Sequence, residues 1–288
     1  MCNHHGGEIH EHDRGLAHDL EKLRSLKTGR RGILKMLTGV GVLGGLIGCG
    51  GSIGGSDALA QTDDVGSSNS SQIITSENGA CSTIPQETEG PYPADGTNGP
   101  NTLTTAGIVR NDIRTSFGGL SGTAAGTPTS LQIKLVNVND NCSPLAGYAI
   151  YLWHCNADGL YSIYEVTDQN YLRGVQETDG TGIVNFQTVF PGCYAGRYPH
   201  MHFEIFPSLA SATTGSNSLR VSQLALPETA CTEVYAQSSL YPQSLSRFQT
   251  LSIATDNIFS DGADLQIPVF TGTVADGFSL GLEVGIAV

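Results

Sequence analysis

PGCYAGRYPHMHFEIF, residues Pro191 to Phe206, decides both the fold and the chemistry of this 288-residue chain. The apolar run Met201, Phe203, Ile205 and Phe206 makes a strand the natural reading. Side chains two residues apart on a strand leave the same face, so His200 and His202 point one way, as a chelating pair must. Imidazole is the commonest protein ligand for Zn, Cu, Fe and Ni. A phenolate from Tyr194 would narrow the choice toward a hard, strongly Lewis-acidic ion such as ferric iron, for which tyrosine is a known ligand. A lone His-x-His is more often surface or satisfied core, so a second, independent cluster is needed.

Tyr151 to Tyr164, YLWHCNADGLYSIY, supplies that cluster. An apolar strand ends in Trp153 and runs into the turn Asn156-Ala157-Asp158-Gly159, with Tyr161 directly behind it. Asp-Gly is a strong turn signal, because glycine takes the positive φ that other residues resist.

Taken together, these segments resemble the intradiol ring-cleavage dioxygenases, the catechol and protocatechuate 3,4-dioxygenase family. The family's Trp-x-x-(Asn/Asp)-Ala-x-Gly-x-Tyr reads WHCNADGLY here and gives Tyr161. Its Pro-Gly-x-Tyr gives Tyr194, and its His-Ile-His-Phe reads HMHF, giving His200 and His202. Arg197 stands three residues before the first histidine, where the family keeps an arginine. Further matches are TEGPYP at Thr88 to Pro93, LRG at Leu172 to Gly174, the turn from Thr178 to Gly182, and Ser222-Gln223. The resemblance covers roughly residues 82 to 288. Better-known members insert a longer loop between the second tyrosine and the histidine pair. Only five residues separate Tyr194 from His200 here, as in the shorter, exported members.

The resemblance implies a non-haem Fe(III) cofactor held by Tyr161, Tyr194, His200 and His202, with water or hydroxide beside them. It implies that Tyr194 is the ligand that leaves as substrate arrives, and that Arg197 stabilises developing negative charge. Gln223 matches a position just behind the ligands, where hydrogen bonds tune such sites. The partners implied are a catechol and O2, and the activity is that of an EC 1.13.11-type oxidoreductase. Such an enzyme cleaves the ring between its two hydroxyl-bearing carbons to a cis,cis-muconate-type product. Two alternatives stand beside it: a non-catalytic exported binding module, and a different metal on the same ligands.

The strand pattern agrees with an all-β fold. Leu131, Ile133 and Leu135 alternate with Gln132 and Lys134, and Val184 and Phe186 with Asn185 and Gln187. Short β-rich runs at 131–138, 148–154, 182–189, 200–206 and 278–288 are separated by Gly, Asn, Asp and Pro, and no sustained amphipathic helix is expected. About 200 residues suffice for one core, so the expectation is a single β-sandwich over residues 81–288.

The N-terminus reads as an address. Gly29 to Lys35, with Arg30-Arg31, has the form of a twin-arginine export signal, and a Gly-rich apolar stretch too short to span a membrane follows. Leu46-Ile47-Gly48-Cys49 has the form of a lipobox, which makes Cys49 the lipidated residue; Ala58-Leu59-Ala60 offers ordinary cleavage instead. Residues 1–48 are thus expected to be the signal and 49–80 a flexible Gly/Ser-rich tether. The product is then periplasmic, a cell-surface lipoprotein or extracellular. Membrane contact comes only through the lipid. Five of eight histidines lie in this leader, so two of the remaining three occupy one motif; the third, His154, reads as structural.

From Gln61 onward there are seven basic and twenty-one acidic residues, a net charge of −14. Such a surface disfavours nucleic acid and anionic lipid. A carboxylate-bearing substrate would need local help from Arg197 or Arg173. Cys81, Cys142, Cys155, Cys193 and Cys231 suggest two disulfides and a free thiol, with Cys155–Cys193 well placed to brace the site.

The lipobox reading predicts that Cys49→Ser shifts the exported protein from the detergent phase to the aqueous phase on phase partitioning. Unaltered protein already in the aqueous phase would point to cleavage after Ala60 instead.

Overall fold

The computed structural model describes residues 81–288. The expected signal, tether, Arg30-Arg31 pair and Cys49 lie outside these described residues. Strands dominate: β1 (Pro128–Asn137), β2 (Ser143–Pro144), β3 (Ala149–Trp153), β4 (Arg173–Glu177), β5 (Ile183–Val189), β6 (His200–Phe206), β7 (Arg220–Ala225), β8 (Val269–Thr273) and β9 (Gly277–Ile286). They form two sheets, one ordered β2-β1-β9-β8 with β5 also paired to β1, the other ordered β4-β3-β6-β7. Pairing is antiparallel except between β1 and β9. This is the β-sandwich that the alternating runs predict, with strands at each of the five expected places.

Alternation assigns the faces. Leu131, Ile133 and Leu135 of β1 and Leu280, Leu282 and Val284 of β9 enter the same buried cluster as Ile150 and Leu152 of β3 and Met201, Phe203 and Ile205 of β6. Fully burying a side chain of this size is worth about 1.5–3 kcal/mol, so this inter-sheet layer fixes which way every strand faces. In β6 the consequence is decisive. With 201, 203 and 205 turned inward, His200, His202 and Glu204 must turn to the outer face of the four-stranded sheet.

That outer face does not meet solvent, because the segment from Thr88 to Phe117 covers it. Leu103, Ile108 and Phe117 join Ala149, Tyr151, Trp153, Val175 and Phe206 in a second buried cluster, which includes Tyr161. Four residues lie opposite one another across this sheet in successive strands: Arg173, Trp153, His202 and Gln223. Trp153 stacks on His202 at 5.0 Å between ring centroids.

Two expectations need correction. A helix, α1 (Glu228–Gln237), and a short one, α2 (Ser244–Phe248), follow β7. Thr229, Thr232 and Val234 disguise α1, since β-branched residues favour strands; burial of Ala230, Cys231, Val234 and Tyr235 overrides that preference. Among the described residues one disulfide forms, Cys81–Cys142, with Cα atoms 5.7 Å apart, while Cys155, Cys193 and Cys231 are free and buried. The Cys155–Cys193 bridge is therefore absent. The Cys155 thiol donates instead to Gly192 O at 3.4 Å and that of Cys193 to Tyr194 O at 3.8 Å.

Candidate metal centre

His200 and His202 are buried, and their Nε2 atoms lie 3.0 Å apart. Tyr194 Oη is 3.0 Å from His200 Nε2, and Tyr161 Oη is 3.1 Å from His202 Nε2. The four side chains singled out in the sequence therefore converge on one point, from three separate segments of chain. Tyr161 follows the Asn156–Gly159 turn, where Asn156 Oδ1 accepts from the N–H groups of Asp158 and Leu160, and Gly159 takes φ +82°. Tyr194 follows Pro191-Gly192, whose Gly192 N–H donates to Asn156 O at 3.0 Å. Any Cβ at Gly192 would sit 2.3 Å from Ala157 O, so only glycine lets the two tyrosine-bearing loops touch backbone to backbone.

Protonation can be read from the partners. His200 Nδ1 lies 2.5 Å from Tyr198 O, and a carbonyl can only accept. In a neutral ring the proton is then on Nδ1, and Nε2 offers its lone pair to the junction. Burial pushes both imidazoles well below their ordinary value. It pushes both phenols up; Tyr194 adds to the rise at Tyr161, whereas Arg197 opposes it at Tyr194. Four uncharged donors with lone pairs crowded at about 3 Å are what a cation would organise. A cation would also reverse the shift on the phenols, since a nearby opposite charge favours the ionised form. Edges of 3.0–3.1 Å suit donors around an ion bound at about 2.1 Å. His202 Nδ1 is buried without a partner. The residues present fit a two-tyrosine, two-histidine metal site.

Behind the junction sits a charged frame. Arg197 Nε donates to Asp256 Oδ2 at 3.0 Å, and its Nη2 donates to Gln223 Oε1 at 2.7 Å. Gln223 Nε2 donates in turn to Thr88 O at 2.8 Å. Asp256 also accepts from the N–H groups of Tyr198, Ile258 and Phe259. No signal in the sequence marks Asp256, which lies in a loop 59 residues beyond its arginine. Arg173, the other cation expected to help a carboxylate-bearing substrate, is unavailable for it. Its guanidinium is fully buried and donates to Pro93 O, Tyr92 O, Ser162 O, Ser162 Oγ and Tyr151 Oη. It clamps the Tyr161 loop to the covering segment. His154 is structural, as expected: it is buried between Cys155 O at 2.8 Å and Thr188 Oγ1 at 2.6 Å.

Residues 97–214 match the family model Dioxygenase_C, described as dioxygenase. That span holds Tyr161, Tyr194, Arg197, His200 and His202. The chain is similar to the intradiol ring-cleavage dioxygenases. The solved intradiol ring-cleavage dioxygenase from Tetranychus urticae shares 24% identity over 72% of this chain and 95% of its own, with a TM-score of 0.56. A dioxygenase designated Tetur07g02040 also shares 24% identity over 72% and 95%, with a TM-score of 0.57. At such identities the likeness concerns the fold. No curated protein matches the chain.

Just ahead of the covering segment, Glu87 places one more carboxyl at the margin of this frame. Burial pushes it from its ordinary 4.5 up to about 7, with Asp261 adding to the rise and Gln266 and Arg197 opposing it. A carboxyl raised in this way holds a proton in the fold that the unfolded chain has released. Its contribution to stability is full below about pH 4.5 and is lost as pH rises through about 7. Glu87→Gln cannot ionise, so its melting temperature relative to the unaltered protein should climb between pH 5 and pH 8 in thermal unfolding. A constant difference across that range contradicts the assignment.

Proposed function

We propose that this chain is a non-haem Fe(III) dioxygenase that cleaves a catechol-type ring between its two hydroxyl-bearing carbons with O2, giving a cis,cis-muconate-type product. The observation that carries the reading is the convergence of Tyr161 Oη, Tyr194 Oη, His200 Nε2 and His202 Nε2 within contacts of 3.0–3.1 Å. The match to the dioxygenase family model supports catechol-type ring cleavage in general terms. Bound ferric iron would supply a Lewis acid that holds both catechol oxygens and draws charge from the ring toward reaction with O2.

The chain's own residues divide the remaining work. His200 and His202 stay neutral, as their burial requires, and hold their lone pairs at the junction. The phenol oxygens of Tyr161 and Tyr194 are the groups there that can take up or release a proton as a catechol hydroxyl ionises. Tyr194 is the better candidate for release, because it is only partly buried. Tyr161 is packed at 5.1 Å against Tyr92 and sits 2% exposed. Arg197 is held by Asp256 and Gln223, with Nη1 making no hydrogen bond among the described residues. That nitrogen can donate to negative charge on the ring or the incoming oxygen.

In this reading the twin-arginine segment exports the folded, metal-loaded domain, which acts at the cell surface or beyond it. The Cys81–Cys142 disulfide is consistent with an oxidising compartment.

Iron-replete protein is expected to show a broad visible charge-transfer band that moves to longer wavelength with catechol in the absence of O2. With O2 it should consume one O2 per catechol and release a cis,cis-muconate-type product. Tyr161→Phe should weaken and shift the band, and Tyr161→Phe and His202→Ala should each lose at least about 100-fold in turnover. A colourless protein that binds no iron sinks the reading and favours a binding module.

A further inference from the structure

The acidic character of the whole chain raises the question of whether the site could accept a catechol that carries a ring carboxylate. Such a substrate needs a cation to meet its charge, because burying an unpaired carboxylate is costly. The described residues contain seven basic side chains. Two lie on the site face, and the charge of each is already met by the protein, although Arg197 keeps Nη1 for the reacting groups. Arg173 gives its guanidinium to protein oxygens on every side and is 0% exposed. Arg197 is paired with the buried carboxylate of Asp256.

The other five do not change this balance. Arg247 turns its guanidinium to Cys193 O, Asp158 O and the Gln243 side chain, tying together the two tyrosine-bearing loops. Arg114 pairs with Asp112 and Lys134 with Glu283. Arg110 donates to the carbonyls of Arg173, Ile113 and Thr115. Arg220 sits three residues from Gln223 along β7, on the opposite face of the sheet.

Carboxylates, in contrast, gather around Arg197. Asp256 touches it, and Glu87 and Asp261 act on the same group of charges. A carboxyl oxygen of Glu87 accepts from Gln266 Nε2 at 3.4 Å, and that same nitrogen donates to Gln223 O at 2.9 Å. Glu87 is thus joined to the residue that stands opposite His202 in the sheet. The next residues, Thr88 to Gly90, run across the junction; a Cβ on Gly90 would come within 3.3 Å of His202 Cε1. The Arg197 guanidinium thus touches the Asp256 carboxylate and the Gln223 side chain, and Glu87 is linked to Gln223 through Gln266.

Building on the proposed function, we infer that the site selects catechols whose ring bears no carboxylate, and that Glu87 together with Asp256 sets this preference. A ring carboxylate entering beside Arg197 meets a cation already paired with Asp256 and, above about pH 7 where Glu87 gives up its proton, further negative charge behind it. A neutral ring substituent of the same size meets neither obstacle except shape.

The test is equilibrium binding at pH 8, where Glu87 is ionised, to iron-replete, full-length protein without O2, followed by the visible spectrum and by calorimetry. Three ligands are compared: catechol, 3,4-dihydroxybenzoate and its methyl ester, the last matching the acid in size without its charge. The acid is expected to bind at least about tenfold more weakly than the ester. Glu87→Gln should narrow the ratio, and Glu87→Lys should narrow it further. Equal affinity for acid and ester overturns the inference while leaving the dioxygenase reading intact. A ratio unmoved by both Glu87 variants overturns the role given to that residue. If none of the three ligands binds, the proposed function fails and this inference fails with it.

Discussion

Two imidazole nitrogens held 3.0 Å apart, each with a tyrosine oxygen at hydrogen-bond distance, form the junction around which this domain is arranged. Such crowding of polar atoms in a buried place opposes the ordinary tendency of polar groups to keep their water. The fold sustains it by making the alternative more costly. To turn His200 and His202 away from the junction, β6 would have to slip by one residue and drive Met201, Phe203 and Ile205 out of the inter-sheet core. The chemistry of the site is thus coupled to the packing of the sandwich through the two-residue period of a single strand.

The tyrosines come from loops, which are less constrained than strands, and each loop is fastened separately. Gly192 lets the Tyr194 loop lie against the Asn156–Gly159 turn. Arg173 joins the Tyr161 loop at Ser162 to the covering segment at Tyr92 and Pro93. Gln223 joins Arg197 to Thr88 in the same segment. That segment therefore closes the face of the sheet and positions the groups beneath it. The matching TEGPYP stretch in the sequence marks the place where this happens.

Much of this was legible in the sequence because the period of two survives where a face is buried. Leu131-Ile133-Leu135 and Val184-Phe186 fall where the alternation puts them, and the histidine pair follows from the same rule. The two tyrosines were legible through motif resemblance, since neither shares a periodic pattern with the histidines. What escaped depends on contacts distant in sequence. Asp256 meets Arg197 only after the chain has passed through β6, β7 and both helices. Helix α1 is rich in β-branched residues and shows its helical nature only through what it buries. The cysteines misled for a related reason: closeness in sequence to the tyrosines put Cys155 and Cys193 near the site, yet each thiol is turned to a backbone carbonyl.

The central claim is that four side chains from three segments share one ferric ion. Anomalous diffraction at the iron absorption edge, on crystals of iron-replete protein, tests it most directly. The account predicts one strong anomalous peak bounded by Tyr161 Oη, Tyr194 Oη, His200 Nε2 and His202 Nε2. A peak elsewhere, or none at this junction in protein that has retained its iron, would contradict it.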